Sequence, residues 1–295
     1  MDPTLKNKTI SKIKQSVSTL SPRLKAVAKY IVDNPSDFGL DPIRETARKC
    51  SVSTYTLVRM AKTLGFEGYE GLREPFRHAL VSSTALVEHP EWVDGLRAEG
   101  VLGEVQANAA VNAMALVQRS LERQKLDKMD RVARMLLAAP NVYITAVRAS
   151  YSMAYYFHYV GRMALPSLQL IPRHMNSAID ELNYAGEGDV MIALTFSPYS
   201  RETIEACKFA RARGVKLILI SDSDVISTEF APEETLIASV ISTHHFSCYT
   251  GVVALLENLL GLLVHLGGTD ATKRIDSYEH LRRDTNAYWI ADKKQ

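Results

Sequence analysis

The sequence predicts an all-α helix-turn-helix N-terminal domain followed by an α/β domain with a parallel five-stranded sheet. Two observations carry this. Residues 4–80 show apolar positions at helical spacing throughout, with turn residues between the stretches. After Pro140 five short apolar or β-branched runs appear, most of them separated by helical segments, and alternating β and α implies a parallel sheet covered on both faces.

The helices are read in order. Ile10, Ile13, Val17 and Leu20 form one apolar face. Ser21-Pro22 stops that helix and opens the next, with Ser21 as N-cap and Pro22 in the first turn. Leu24, Val27, Ala28 and Ile31 continue the stripe until Asn34-Pro35 ends it. Pro42 opens a short helix over Ile43–Lys49, and Ser53 opens another over Thr54–Leu64, closed by Gly65. A further helix is expected from Tyr69 to Val81. Ser82, Ser83, Pro90, Gly95 and Gly100 break the pattern, so residues 82–100 read as linker. Helical periodicity returns from Leu102 to Ala139. The strands expected after it are Val142–Val147, Leu168–Ile171, Val190–Phe196, Val215–Ile220 and Leu236–Ile241. The resulting division is residues 1–81, a connecting stretch 82–124, and residues 125–285.

Composition narrows the function class. The 295 residues are 46% hydrophobic and 23% charged, ordinary for a soluble protein and long enough for two domains. Cys50, Cys207 and Cys248 are odd in number and far apart, which excludes a disulfide framework and zinc-finger spacing and fits a reducing, cytoplasmic setting. No metal, cofactor or catalytic set is indicated. Met1–Ser18 has no apolar core of a signal segment. Gly251–Leu266 is the most lipid-like stretch, but it is short and carries Glu257, Asn258 and His265. It reads as a buried or oligomer-facing helix, with no membrane partner.

The net charge of +2 hides an asymmetry. Residues 1–80 hold 14 Lys and Arg against 8 Asp and Glu, a balance of +6, which leaves −4 for the rest. A basic head on an acidic body points to a polyanion partner for the head.

Pro42–Leu64 has the layout of a helix-turn-helix, with small Ala47 at the helix crossing and Val52 and Leu57 filling the space between. Leu57, Ala61 and Leu64 face the core. Thr54, Tyr55, Thr56, Arg59 and Lys62 are left for a duplex, with Ser53 at the helix start, where backbone N–H groups favour phosphate. Arg59 suits guanine or phosphate, and Lys62 phosphate. Arg44, Arg48 and Lys49 are candidate backbone clamps. The alternative reading is a small helical bundle with a basic face.

In the body, hydroxyls at the C-terminal ends of parallel strands beside helix N-termini suit a phosphate or another oxyanion. Ser197, Ser200 and Thr203 open a helix that runs through Ala210, and Arg148 adds planar, two-pronged donors. The competing readings are that the serines cap the helix and that Arg148 forms an internal salt bridge. His244-His245 lacks an acidic or Cys partner at ligand spacing and reads as structural or surface. Asp222 with Asp224 reads as a solvated loop, Cys207 as core, and Tyr155, Tyr156, Phe157 and Tyr159 as helix packing.

Residues 10–80 resemble the N-terminal domain of RpiR-type regulators. The resemblance lies in Leu20-Ser21-Pro22, Ala28–Ile31, Asn34-Pro35, Val52-Ser53, Thr56, Val58-Arg59, Leu64-Gly65-Phe66, Gly68 and Leu72. Residues 125–270 resemble the SIS (sugar isomerase) domain that follows this head in such regulators, a three-layer α/β/α fold. The family's Gly-x-Gly-x-Ser reads here Ala146-Val147-Arg148-Ala149-Ser150, with Ser150 at the ligand serine and both glycines replaced. Its Ser-x-Ser-Gly-x-Thr reads Thr195-Phe196-Ser197-Pro198-Tyr199-Ser200, keeping hydroxyls at Thr195, Ser197 and Ser200 and replacing the glycine by Pro198. Its Thr-Asp reads Ser221-Asp222. The resemblance implies a regulator that binds a double-stranded DNA operator through residues Arg44–Lys62 as a homodimer or homotetramer. The implied effector is a phosphosugar or related anionic metabolite held by Ser150, Thr195, Ser197 and Ser200; Arg148, standing where the family has glycine, is expected from its own chemistry to replace the lost backbone approach and pair with the anion. A phosphosugar isomerase with an accessory head, or a sugar-binding adaptor without DNA contact, are the alternatives. No convincing isomerase base stands beside the serines.

Overall fold

The computed structural model describes residues 5–82, 90–174, 177–223, 226–227, 229–244 and 246–289. It divides into two compact units. One takes in Met1–Leu121, Asp222–Ile226 and Ile237–Val252; the other Glu122–Ser221, Ser227–Leu236 and Val253–Gln295.

The first unit opens with α1 (Leu5–Ser16), α2 (Pro22–Asp33), α3 (Pro35–Leu40), α4 (Ile43–Lys49), α5 (Thr54–Thr63) and α6 (Tyr69–Ser82). Their apolar stripes close on one core, in which Ile13, Val27, Ile31, Phe38, Leu57, Met60, Leu64, Leu72 and Phe76 are buried. Ser21 stands at the N-cap of α2 without a side-chain cap bond, and Pro22 fills the first turn. Pro35 does more than end α2. It also starts α3, a helix that the apolar spacing does not predict, and α3 brings Phe38 edge-on to Tyr69 at 5.7 Å and to Phe76 at 5.0 Å. Gly65 has φ +81°, the left-handed conformation that a helix end needs and that glycine takes without steric cost.

The stretch expected to be linker contains α7 (Glu91–Ala98), with residues 83–89 outside the described residues. Val93 of α7 is buried against Ala107 and Val111 of α8 (Val101–Glu122). The single helical stretch expected over Leu102–Ala139 is broken after Glu122, and α9 (Leu126–Ala138) begins anew. α8 also holds the segment that precedes the last helix. Asn112 Nδ2 donates to the Ile241 carbonyl at 3.0 Å, and the Ser239 amide donates to Ser120 Oγ at 3.1 Å. Gly251 passes so close that a Cβ there would lie 2.3 Å from Ser120 Oγ and 2.7 Å from the Leu116 carbonyl oxygen.

The second unit is the α/β body. β1 (Val142–Thr145), β2 (Leu168–Ile171), β3 (Val190–Leu194), β4 (Lys216–Ser221) and β5 (Glu234–Ile237) form one sheet in the order β2-β1-β3-β4-β5. The ladders β1–β2, β1–β3 and β3–β4 are parallel, with Val142 level with both Leu168 and Val190, and Val190 level with Lys216. β1 and β3 are buried along their whole length, as central strands covered on both faces must be. β1 and β3 stop two residues short of the expected Val147 and Phe196, because the chain turns into loops at Ala146 and Thr195. β2 matches its expected bounds, β4 lies one residue further on, and β5 begins two residues before the expected Leu236 and ends at Ile237, four short of Ile241.

Helices α9, α10 (Ala149–Gly161), the short α11 (Ala178–Glu181), α12 (Arg201–Ala212) and α13 (Thr250–Asp284) complete the α/β/α layers. α12 buries Thr203, Ala206, Cys207 and Ala210, one stripe at i, i+3, i+4, i+7. α13 is longer than the apolar stretch that announced it and is broken at Gly268 (φ 55°, ψ −141°). By length and composition it could cross a membrane, and 33% of its apolar window is buried, including Val252, Leu255, Leu256, Leu259 and Leu263.

Candidate functional site

In the head, Ala47 on α4 is buried at the crossing with α5, and the Val52 amide donates to its carbonyl at 2.9 Å. Ser51 takes a positive φ of 52° in the turn. Ser53 caps α5, its Oγ accepting from the Thr56 amide at 3.3 Å. Thr54, Tyr55, Arg59 and Lys62 are exposed on the outer face of α5, and Arg44 on α4. Tyr55 is 75% exposed on that outer face.

Two of the expected contacts turn inward. Thr56 shares the buried stripe of Leu57, Met60, Ala61 and Leu64, and its hydroxyl sits 3.0 Å from Ser53 Oγ. Its place in the first turn beside Leu57 puts it on the core side. Lys49 points to Asp41 at 2.9 Å and Asp37 at 3.2 Å. Arg48 remains half exposed but pairs with the buried Glu45 on its own helix.

The Lys49 pair belongs to a polar knot under α4. Tyr30 donates to Asp41 Oδ2 at 3.0 Å, while Tyr69 and Arg73 donate to the Asp41 carbonyl at 3.0 and 2.9 Å. Tyr69 Oη also lies 2.6 Å from Thr46 Oγ1. Burial pushes the Asp41 carboxyl up against the lowering influence of Lys49 and Tyr30. Burial depresses the Lys49 ammonium, but Asp41 and Asp37 together outweigh it and raise it. Burial, then Asp41, pushes the Cys50 thiol up to about 11.

In the body, the sheet order makes β1 the neighbour of both β2 and β3, so the winding reverses between β1 and β3. Ligands of open α/β sheets bind in the crevice at the carboxyl ends of such a strand pair. The loops after β1 and β3 carry the candidate residues. Arg148 is the N-cap of α10 with φ 56° and ψ −137°, a positive-φ position that the family fills with glycine. Ser150 is buried in the first turn of α10. After β3, buried Thr195 accepts the Ser200 amide on its Oγ1 at 3.2 Å, fixing the loop that contains exposed Ser197 and the cis peptide to Pro198. Ser200 caps α12 by accepting from the Thr203 amide at 3.4 Å.

A cavity of about 800 Å³ opens here, lined by Arg148, Ser200, Tyr199, Glu202, and Ser177 and Ile179 from the α11 side, among others. Arg148 and Ser200 thus meet, whereas Ser150, Thr195 and Ser197 stand in the flanking loops and not on the cavity wall. Sequence reasoning missed Glu202. Its Oε2 accepts from Ser200 Oγ at 2.6 Å and its Oε1 lies 3.5 Å from the Arg148 guanidinium. The Ser200 hydroxyl, then the Glu202 amide, and further Arg148 and Arg201, hold the carboxyl below its usual range. An acid in the first turn of a helix is so common that its position alone does not mark it out.

The remaining features fall outside this site. His244 is exposed and accepts from the Phe246 amide at 3.1 Å, while His245 and Asp224 lie outside the described residues. Cys207 is core. Phe157 packs inward as expected, but Tyr155 and Tyr159 stack on each other on the exposed face of α10.

Comparison with known proteins agrees with the geometry. Residues 7–83 match the helix-turn-helix domain of the rpiR family, and residues 135–256 match the SIS domain. The chain is 24% identical over 254 residues to the bifunctional protein glk of Paraburkholderia xenovorans (strain LB400). That covers 86% of this chain but only 38% of that relative's length. It is 21% identical over 279 residues to the HTH-type transcriptional regulator HexR of Pseudomonas aeruginosa, covering 93% of each. Among solved structures, the Vibrio vulnificus NanR protein complexed with ManNAc-6P shares the fold, with a TM-score of 0.61 at 18% identity, covering 96% of this chain and all of that one. The chain therefore joins a helix-turn-helix domain of the rpiR family to a SIS domain.

Proposed function

We propose that the protein binds a double-stranded DNA operator through α4 and α5 and that a sugar phosphate, or a related anionic metabolite, tunes that affinity from the cavity between the β1 and β3 loops. Residues 1–81 read DNA, 125–285 sense the effector and 82–124 connect them. The observation that carries the reading is the meeting of Arg148 and Ser200 at the winding reversal, beside a cavity large enough for a phosphosugar. Arg44, Thr54, Tyr55, Arg59 and Lys62 are the outward DNA set, with Ser53 capping and Arg48 as a paired rim cation. Ser150, Thr195 and Ser197 shape the loops around the anion.

The chain works as a cytoplasmic homodimer or homotetramer, pairing heads to meet a two-fold operator. An effector that favours one arrangement shifts operator affinity by its differential binding energy. Isomerisation is disfavoured because both carboxylates on the cavity wall are already engaged, Glu202 with Ser200 and Arg148 and Glu205 with Lys208. Selection of bound sequences from random DNA by the full chain, with and without a panel of hexose 6-phosphates, tests both halves. A defined site whose occupancy changes with one sugar phosphate is the expected result. Indifference to sequence defeats the first half and indifference to every sugar phosphate the second.

A further inference from the structure

We propose that the exposed basic face of α1 and α2 is a second duplex-binding surface, which grips the phosphate backbone beside α5 and supplies most of the head's sequence-independent affinity. This rests on the DNA reading above and adds to it a surface outside α4 and α5.

The excess charge of the head does not sit on the helix-turn-helix. Residues 3–32 hold seven Lys and Arg and no Asp or Glu, whereas residues 33–80 hold seven of each and balance to zero. Within that second stretch Arg48 pairs with Glu45, Lys49 with Asp37 and Asp41, Arg73 with Glu70, and Arg77 with Glu74. Arg44, Arg59 and Lys62 are the cations there outside these pairs. Three cations are few for a polyanion. A duplex carries one negative charge per ~1.7 Å of its axis, and each phosphate neutralised adds about 0.9 to the salt slope of binding.

On α1 and α2, Lys8, Lys12, Lys14, Arg23, Lys25 and Lys29 are exposed. Lys8 and Lys12 stand one turn apart on α1, as do Lys25 and Lys29 on α2, so each helix presents a basic ridge. Like charges at this spacing repel and destabilise a helix, so folding alone does not favour them.

Lys12 fixes where the α1 ridge stands. Its Nζ donates to the Leu64 carbonyl at 2.7 Å, at the C-terminal end of α5. In homeodomain-type docking the C-terminal end of the recognition helix contacts the backbone while the helix itself reads the major groove. The α1 ridge therefore continues the outer face of α5, beyond exposed Lys62, towards the flanking phosphates.

The salt dependence of binding to a random-sequence duplex of about 30 base pairs, followed by fluorescence anisotropy of the full chain between about 50 and 200 mM salt, tests this. The triple variant Lys8→Gln, Lys25→Gln, Lys29→Gln spares the Lys12 cap. Its slope is expected to be shallower by about 2.7, so that it loses about 40-fold less affinity over that range, and each single replacement should account for about a third of the change in slope. Removing three cations from the body instead, by Arg123→Gln, Lys125→Gln and Lys273→Gln, should leave the slope unchanged. A triple-variant slope equal to that of the unaltered chain overturns the surface while leaving DNA binding through α5 standing, and so does an equal fall in the body variant. Failure of the unaltered chain to bind the duplex removes the DNA reading and this surface with it. A slope that falls for single-stranded RNA but not for the duplex overturns the duplex as the partner.

Discussion

Lys49 Nζ lies 2.9 Å from Asp41 Oδ2, with the aspartate side chain 9% exposed. By sequence this lysine is a clamp for the DNA backbone; in the fold it ties α4 to the loop before it. Removing it leaves a buried carboxylate short of its cation, which is costlier than losing a surface pair. Lys49→Ala is expected to destabilise the head by about 2 kcal/mol while leaving the DNA affinity of the folded protein nearly unchanged. Thermal unfolding beside a DNA titration separates the two. Normal stability with weakened DNA binding would return Lys49 to the DNA face.

The same knot makes the head sensitive to alkali. Lys49, Cys50, Tyr30 and Tyr69 all have raised pKa values in the fold. A raised group lends stability that is full below its unfolded value and lost as pH climbs through its folded value. For Cys50 that window runs from 9.0 to about 11. Asp41 is also raised, but its window begins at 3.8 and adds nothing to the alkaline loss. Circular dichroism melts should show stability falling by roughly 1–3 kcal/mol across the Cys50 window of pH 9 to 11. A flat profile there would mean that the knot is looser than its distances indicate.

On the DNA face, Arg59 and Lys62 stand outward and Thr56 inward. Arg59→Ala is expected to cost about 1–3 kcal/mol of operator affinity if it reads a base, and Lys62→Ala to lower the salt slope by about one unit. Thr56→Ala should instead act on stability, by about 1 kcal/mol, through the lost hydroxyl contact to Ser53 Oγ. Electrophoretic mobility titrations at several salt concentrations, alongside melts, check all three. Equal loss of affinity from Thr56→Ala at unchanged stability would contradict its inward placement.

Gly251 is required by close approach. A Cβ would fall 2.3 Å from Ser120 Oγ and 2.7 Å from the Leu116 carbonyl oxygen. Gly251→Ala should destabilise by about 3 kcal/mol or force a backbone shift. Adding Ser120→Ala removes only the first clash and orphans the buried Ser239 amide, so it should not restore the loss. Full restoration, read from melting temperatures, would show that the backbone of α8 yields.

Much of this architecture is legible in the sequence because burial writes periodicity directly. The stripe Thr203, Ala206, Cys207, Ala210 and the apolar run of β3 stand out in the order of residues alone. What stayed hidden depends on partners far along the chain. α7 was concealed by Pro90 and Gly95, yet Pro90 is its N-cap and Gly95 is an open surface position. Its one buried anchor, Val93, finds its partners on α8. Lys49 and Thr56 carry types that suit DNA, and only the packing of α4 and α5 turns them inward. Glu202 needed the meeting of two loops, after β1 and after β3, before it had anything to touch.

The bonds between α8 and the stretch from Ser239 to Gly251 decide where the chain can be cut. The sheet-forming sequence suggests starting a truncated body near Leu126, at the beginning of α9. Such a fragment would orphan the Ser239 amide and the Ile241 carbonyl, and would bare the glycine face that α8 covers. A piece that begins at Val101 keeps these partners. The shortest durable fragment of the body is therefore some 25 residues longer than its sheet requires.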